Sequence, residues 1–229
     1  MRKLAIVGYG KMGKLIEQLA PEYDFEVTLK LDEFNNAKGS GLTAANFQGV
    51  DAAIEFSIPS AVPGNVAGIA SLGVPVVVGT TGWLGYLDQV KQTIAQHNTG
   101  LVWSPNFSIG VNVFFRLVAE AARLLSSEPA YGSWAWEIHH SAKKDAPSGT
   151  LLKLVDEMKK AGYARTIDVG SNRAGTIPGT HEIGFDSAAD TITLRHTARS
   201  REGFARGALK AADWIVGKKG FYEFSEIEF

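Results

Sequence analysis

A glycine-rich turn near the N-terminus limits what this chain can fold into more than any other feature. Leu4–Val7 is a short apolar run, and Gly8-Tyr9-Gly10-Lys11-Met12-Gly13 follows it at once. Lys11–Ala20 then carries apolar residues at helical spacing. Glycines at these three points, between a strand and a helix, permit a tight turn, close approach of the backbone to a pyrophosphate, and tight helix–strand packing. The free N–H groups and dipole of a helix start favour the phosphates. The motif alone is weak, because unrelated α/β folds also have glycine-rich turns. Its context strengthens it. Asp32 closes the next strand-like run, Phe25–Leu31, and lies 19 residues after Gly13 (32 − 13). An acid roughly 20 residues on is the expected partner of a nucleotide ribose.

The alternation continues. Ala52–Phe56 and Val74–Val78 read as strands around a helical stretch from Pro59 to Leu72; Leu87–His97 is helical and Leu101–Trp103 is a short strand. Strands alternating with helices imply a parallel, doubly wound sheet. After residue 110 the pattern changes. Val111–Leu125 is a long amphipathic helix, Ser133–His140 a strand, and Thr150–Ala161 a helix stopped by Gly162. His181–Phe185 and Thr191–Thr197 alternate as an antiparallel hairpin. A last helix, Ala205–Val216, ends at Lys218-Lys219-Gly220. The expected fold is α/β: an N-terminal Rossmann-type doubly wound parallel sheet (1–110, joined by 202–229) that binds a dinucleotide, plus a C-terminal α+β domain (111–201) with a mixed or antiparallel sheet.

Glu33 follows Asp32, and no arginine stands there to welcome a 2′-phosphate. NADH is therefore favoured over NADPH, although Lys11 and Lys30 are near enough to tolerate the latter. Gly79-Thr80-Thr81-Gly82 follows the valine run. It either offers backbone groups to a nicotinamide or simply makes a tight turn. Formal net charge is -1, so no global field recruits nucleic acid or membrane, and any anion site is local. No cysteine is present, which removes thiolate chemistry. The first apolar run is too short for a signal segment, and no run is long enough to span a bilayer. A cytoplasmic location is expected.

Residues 134–152 hold the second signal. His139 and His140 are adjacent, Lys143 and Lys144 follow, and Pro147-Ser148-Gly149-Thr150 opens a helix. Imidazole, ammonium and helix-start N–H groups within this span suit proton transfer to a bound polyanion. The plain alternative is a solvated polar loop. Either His139 or Lys143 can deliver a proton. Adjacent strand residues face opposite ways, so one histidine of the pair is expected to face the substrate. With Glu137 and Asp145, the histidines match no recognised metal-ligand spacing, so no metal is expected.

The stretch from Glu137 to Thr150 resembles the signature of the 4-hydroxy-tetrahydrodipicolinate (dihydrodipicolinate) reductase family. Gly8–Gly13, Gly79–Gly82, Ser104–Asn112 and His196–Ala205 fit the same family in the same order. The resemblance implies reduction of a cyclic dicarboxylate by NADH or NADPH in diaminopimelate and lysine biosynthesis. It implies His139 as general acid, with Lys143 a substrate-binding lysine and rival donor. His140, Ser148, Gly149 and Thr150 would grip the substrate carboxylates. Gly8, Gly10, Lys11, Met12, Gly13, Asp32, Gly79, Thr80, Thr81, Asn106, Phe107 and Arg201 would serve the cofactor. It also implies a homotetramer joined through the second domain's sheet. Three features depart from the family pattern: Trp134 where an acid is common, Leu151 for the usual alanine, and a short Glu33–Phe47. Two other classes share the glycine loop: a dehydrogenase of another small acid, such as aspartate or homoserine, and a non-enzymatic NAD sensor. Neither explains His139–Thr150.

Overall fold

The computed structural model of the chain describes residues 1–227 and divides it into two compact units. The first comprises Met1–Ser108 and the chain from Phe204 onward. Its strands are β1 (Arg2–Val7), β2 (Phe25–Leu31), β3 (Ala52–Glu55), β4 (Val76–Val78), β5 (Gly100–Trp103) and β10 (Gly220–Glu223). All pair in parallel, in the order β10-β5-β4-β3-β1-β2. The core strands β3 and β4 are buried along their whole length, as a sheet covered on both faces requires. The helices α1 (Lys11–Leu19), α2 (Val62–Ser71), α3 (Leu87–His97) and most of α6 (Glu202–Ile215) belong to this unit. The chain goes from β1 to β2 on one side and to β3 on the other. The glycine loop after β1 therefore lies at the point where strand order reverses, the usual ligand crevice of such sheets.

The doubly wound sheet is as the sequence implies, with two differences. The ladder of β4 begins at Val76, because Pro75 has no N–H; its carbonyl already accepts from Ala53 N at 2.9 Å. Strand β10 was not expected. Gly-Phe-Tyr-Glu is too short to show a period, and only pairing with β5 reveals it.

The second unit, Ile109–Gly203, contains α4 (Ile109–Leu125), β6 (Gly132–His139), α5 (Gly149–Lys160), β7 (Ile167–Arg173), β8 (Thr180–Asp186) and β9 (Thr191–Thr197). Its sheet is mixed, in the order β7-β6-β8-β9, with β6 parallel to β7 and antiparallel to β8. One face packs Ala135, Ile183 and Phe185 against Phe114, Val118, Leu151, Leu154 and Met158 of the helices. Leu151, unusual at its position, is thus a fully buried core residue. On the other face the Trp134 ring lies over Gly184, and Trp136 Nε1 donates to Asn172 Oδ1 at 2.6 Å. Strand β7 was missed. As a half-exposed edge strand, Ile-Asp-Val-Gly-Ser-Asn-Arg lacks the alternation that burial of one face imposes.

Candidate active site

The first unit carries a cavity of about 730 Å³ at the glycine loop, lined in part by Gly8, Gly10, Asp32, Phe34, Lys38 and Ser57. Its size suits a small-molecule or cofactor site. Gly8 has φ +98, and a Cβ there would lie 2.1 Å from Phe56 O, so no other residue fits. A Cβ on Gly13 would lie 2.7 Å from Gly8 O, which explains the third glycine as a packing requirement. Gly10 caps α1 with no side chain, and a Cβ there would meet nothing within 4 Å. The N–H groups of the first helical turn, Lys11 to Gly13, are those an α-helix leaves without intrahelical partners. The loop and helix start fit a pyrophosphate.

Asp32 sits at the cavity's edge, its Oδ1 accepting from Phe34 N (2.9 Å) and Asn35 N (3.2 Å). Lys30 is committed elsewhere: its Nζ lies 2.9 Å from Glu17 Oε1 and 5.2 Å from the Tyr9 ring centre. Lys38, not singled out from the sequence, lines the cavity instead. Thr80 is buried. Its Oγ1 donates to Glu55 Oε2 (2.6 Å) and accepts from Ser57 N (2.7 Å). Burial pushes the Glu55 carboxyl up despite its hydrogen bonds from Ser57, Thr80 and Asn65. Gly79 is also buried, while Thr81 is exposed. Phe107 is a core residue, its ring 4.8 Å from that of Phe224, and Asn106 Oδ1 accepts from Ser108 N. Arg201 is exposed just ahead of α6.

In the second unit, strand alternation turns Ser133, Ala135, Glu137 and His139 inward. His140 follows the strand's last residue and is half-buried. Glu137 is fully buried and well held: Oε1 accepts from Ser148 N (2.9 Å), Ser171 Oγ (2.6 Å) and Arg173 Nη2 (2.9 Å). Oε2 lies 2.6 Å from His139 Nδ1, though off the ideal N–H direction, and 3.7 Å from His181 Nε2. Burial alone would push this carboxyl up, but the bonds from Ser171, Ser148 and Arg173 outweigh it and hold it at about 2. His181 is the register partner of Glu137 on β8, and its ring meets that of His139 edge-on at 5.1 Å. Burial, then neighbouring His139, pushes His181 down to about 4; burial also lowers His139, with Glu137 opposing.

Ser148 is the N-cap of α5, its Oγ accepting from Leu151 N at 3.2 Å and lying 3.1 Å from His181 Nε2. Its hydroxyl is thus already engaged. Lys143 Nζ contacts both oxygens of Asp145, at 2.7 and 2.8 Å, and with the Gly149 backbone it holds that carboxyl below its usual range. Arg173 also donates to the carbonyls of Lys143 and Asp145, fastening this loop to β7. A lysine and a helix start thus converge on one carboxylate, showing that this corner can hold such a group. Thr150 is half-buried in the first turn.

His181, Ser171 and Arg173 were not legible as site residues, because only strand pairing brings them to Glu137. Glu137, His139 and His181 offer three atoms within 4.8 Å of one another, a grouping that a metal ion also needs. Yet tetrahedral ligands at about 2.0–2.1 Å from zinc stand about 3.3 Å apart. The 2.6 Å between Glu137 Oε2 and His139 Nδ1 is a hydrogen-bonding distance instead.

His139, His181 and His196 all have their pKa lowered in the folded chain. The folded state therefore binds fewer protons than the unfolded one below the ordinary histidine pKa of about 6.5. Stability should be full above that pH and fall as pH drops towards the folded value of about 4 for His181. Thermal midpoints at pH 7.5 and 5.5 test this in a Glu55→Gln background, which removes the opposite contribution of the carboxyl that burial pushes up, while carboxylates with ordinary pKa values stay ionised. A midpoint unchanged or higher at pH 5.5 contradicts it.

Comparison with known proteins follows the same division. The family model described as dihydrodipicolinate reductase, N-terminus, matches residues 2–107, and that described as its C-terminus matches residues 110–227. A 4-hydroxy-tetrahydrodipicolinate reductase of Christiangramia forsetii is 34% identical, the match covering 98% of this chain and 96% of the relative. One from Methanosarcina acetivorans is 33% identical over 99% of each. Among solved structures, a dipicolinate-bound dihydrodipicolinate reductase from Paenisporosarcina sp. TG-14 superposes with a TM-score of 0.80 at 22% identity, covering 100% of both chains.

Proposed function

The chain belongs to the dihydrodipicolinate reductase family, and on that premise we propose that it reduces 4-hydroxy-tetrahydrodipicolinate to tetrahydrodipicolinate with NADH or NADPH. Overall, a ring C–OH becomes C–H: one hydride and one proton are taken up and one water leaves. The nicotinamide, when bound, supplies the hydride. The chain's own groups bind the dicarboxylate and provide the proton. The observation that carries the reading is the convergence of Lys143 Nζ and the Gly149 backbone on a carboxylate, in the same unit as buried His139. Lys143, Gly149 and Thr150, with His140, bind the substrate carboxylates, Asp145 giving way to one of them. His139 supplies the proton, with Lys143 the alternative donor. Ser148 contributes through its cap of α5. The direct test is oxidation of NADH that depends on the cyclic dicarboxylate formed in situ from pyruvate and aspartate semialdehyde. Reduction of NAD by aspartate or homoserine, without that activity, would favour the dehydrogenase reading.

The nucleotide lies on the glycine loop of the first unit, with Asp32 accepting from the adenosine ribose and NADH preferred. Gly79, Thr81 and Asn106 meet the nicotinamide end through backbone and polar groups, and Arg201 assists. Thr80 and Phe107 shape that end from the core. Replacement of Asp32 by Ala should weaken NADH binding by about 1–3 kcal/mol, the worth of a charge-assisted hydrogen bond. NADPH should lose less, because the carboxylate that repels its phosphate is gone and Lys38 remains. Calorimetric titration with both nucleotides checks this, and equal losses would remove Asp32 from the ribose site. Four copies associate through the sheet face bearing Trp134 and Trp136, and the enzyme works in the cytoplasm with the dissolved nucleotide pool.

A further inference from the structure

We propose that Glu137 is a positioning residue for His139: its carboxylate fixes the imidazole as the Nδ1–H tautomer and leaves Nε2, beside Gly179, to carry the transferable proton. This rests on the reading of His139 as proton donor. Glu137 itself touches no substrate group in that reading. It acts through the ring.

The assignment follows from counting donors and acceptors. Three donors occupy Glu137 Oε1: the Ser148 N–H, the Ser171 hydroxyl and the Arg173 guanidinium. Such a carboxylate stays ionised and can only accept. Its Oε2 makes no other contact as short as the 2.6 Å to His139 Nδ1. Although the N–H direction is off-line, the ring nitrogen that lies 2.6 Å from an ionised carboxylate is the one that the electrostatics favour as N–H. His181 does not compete, since its Nε2 lies 3.7 Å from Oε2 and 3.1 Å from Ser148 Oγ. That hydroxyl accepts from Leu151 N, so its own hydrogen is available for His181.

The far end of the ring is equally constrained. A Cβ on Gly179 would lie 2.8 Å from His139 Nε2, and the Gly179 φ of +148 disfavours any side chain. Nε2 therefore points into space that a residue other than glycine would fill. When the ring is doubly protonated, Nδ1–H faces Glu137 and Nε2–H faces that space. Loss of the Nε2 proton returns the neutral Nδ1–H form, which the carboxylate holds ready for the next proton. A buried acid thus sets which nitrogen works without changing its own protonation.

The chain has five histidines, so two-bond ¹H–¹⁵N correlation spectra of the labelled protein can be assigned with single His→Gln variants. Neutral His139 should show a protonated Nδ1 and an unprotonated Nε2, and Glu137→Gln should abolish that preference. The same variant should lower kcat about 10–100-fold, the usual effect of losing an orienting partner, with KM within about twofold. In the His139→Gln background, Glu137→Gln should cost nothing further. An Nε2–H tautomer in the wild type overturns the proposal and needs no variant to fold. An equal loss of kcat in the His139→Gln background also overturns it, since Glu137 would then act only as a structural residue. A wild-type Nδ1–H signal combined with full kcat in His139→Gln supports the positioning by Glu137 and removes the donor reading instead.

Discussion

Replacing His139 by Gln is expected to lower kcat by about 10²–10⁴-fold, the typical worth of a positioned general acid, while KM changes far less. The side chain is buried, faces a fixed carboxylate at Nδ1 and keeps Nε2 towards Gly179. Glutamine retains much of the volume and some hydrogen-bonding capacity, so the core should survive and only proton delivery should be lost. Burial lowers the His139 pKa, so the free ring is mostly neutral at neutral pH. It must gain a proton to act as an acid, and a bound dicarboxylate supplies the negative charge that favours this. Wild-type kcat should therefore fall as pH rises, and the residual activity of the variant should lose that dependence. Should kcat survive and KM alone rise, His139 is a binding group and Lys143 becomes the donor.

That prediction depends on contacts only partly legible in the sequence. The first unit was readable because its signals are local: a glycine turn, valine-rich strands and helices of ordinary length. In the second unit, alternation along β6 separates Glu137 and His139 from Trp136 and Ile138, and His140 follows just past the strand's end. What the inner pair faces is decided elsewhere. Arg173 lies 36 residues from Glu137, and His181 reaches it only through the antiparallel register of β6 and β8. Strand β7 carries both Ser171 and Arg173, yet as a polar edge strand it leaves no period to detect. Lys30 shows the opposite failure. Proximity in sequence suggested a nucleotide contact, but the side chain is paired with Glu17 beside Tyr9. Ion pairs between exposed groups depend on where neighbouring helices put their ends, which no local pattern encodes.

Lys143→Ala should lower kcat/KM for the dicarboxylate by about 10²–10³-fold, the cost of truncating one partner of a well-formed charge pair. Affinity for NADH should stay within about twofold, a change near 0.4 kcal/mol. The asymmetry follows from where the groups lie. Lys143 and α5 belong to the second unit, whereas the glycine loop, Asp32 and the cavity belong to the first. In a chain of net charge -1, no diffuse positive field can replace a lost local cation. In the free protein Lys143 and the Gly149 backbone engage Asp145, which on the proposed reading yields its place to a substrate carboxylate. Without the lysine, Asp145 loses its partner and opposes a second carboxylate instead of yielding to it. Planar pyridine-2,6-dicarboxylate presents two such groups on a flat ring, so it should compete with substrate in the wild type and bind far more weakly to the variant. Inhibition kinetics and NADH calorimetry on the folded variant check both halves. Loss of NADH affinity would move Lys143 to the nucleotide site, and absence of competition by the pyridine dicarboxylate would count against the substrate itself.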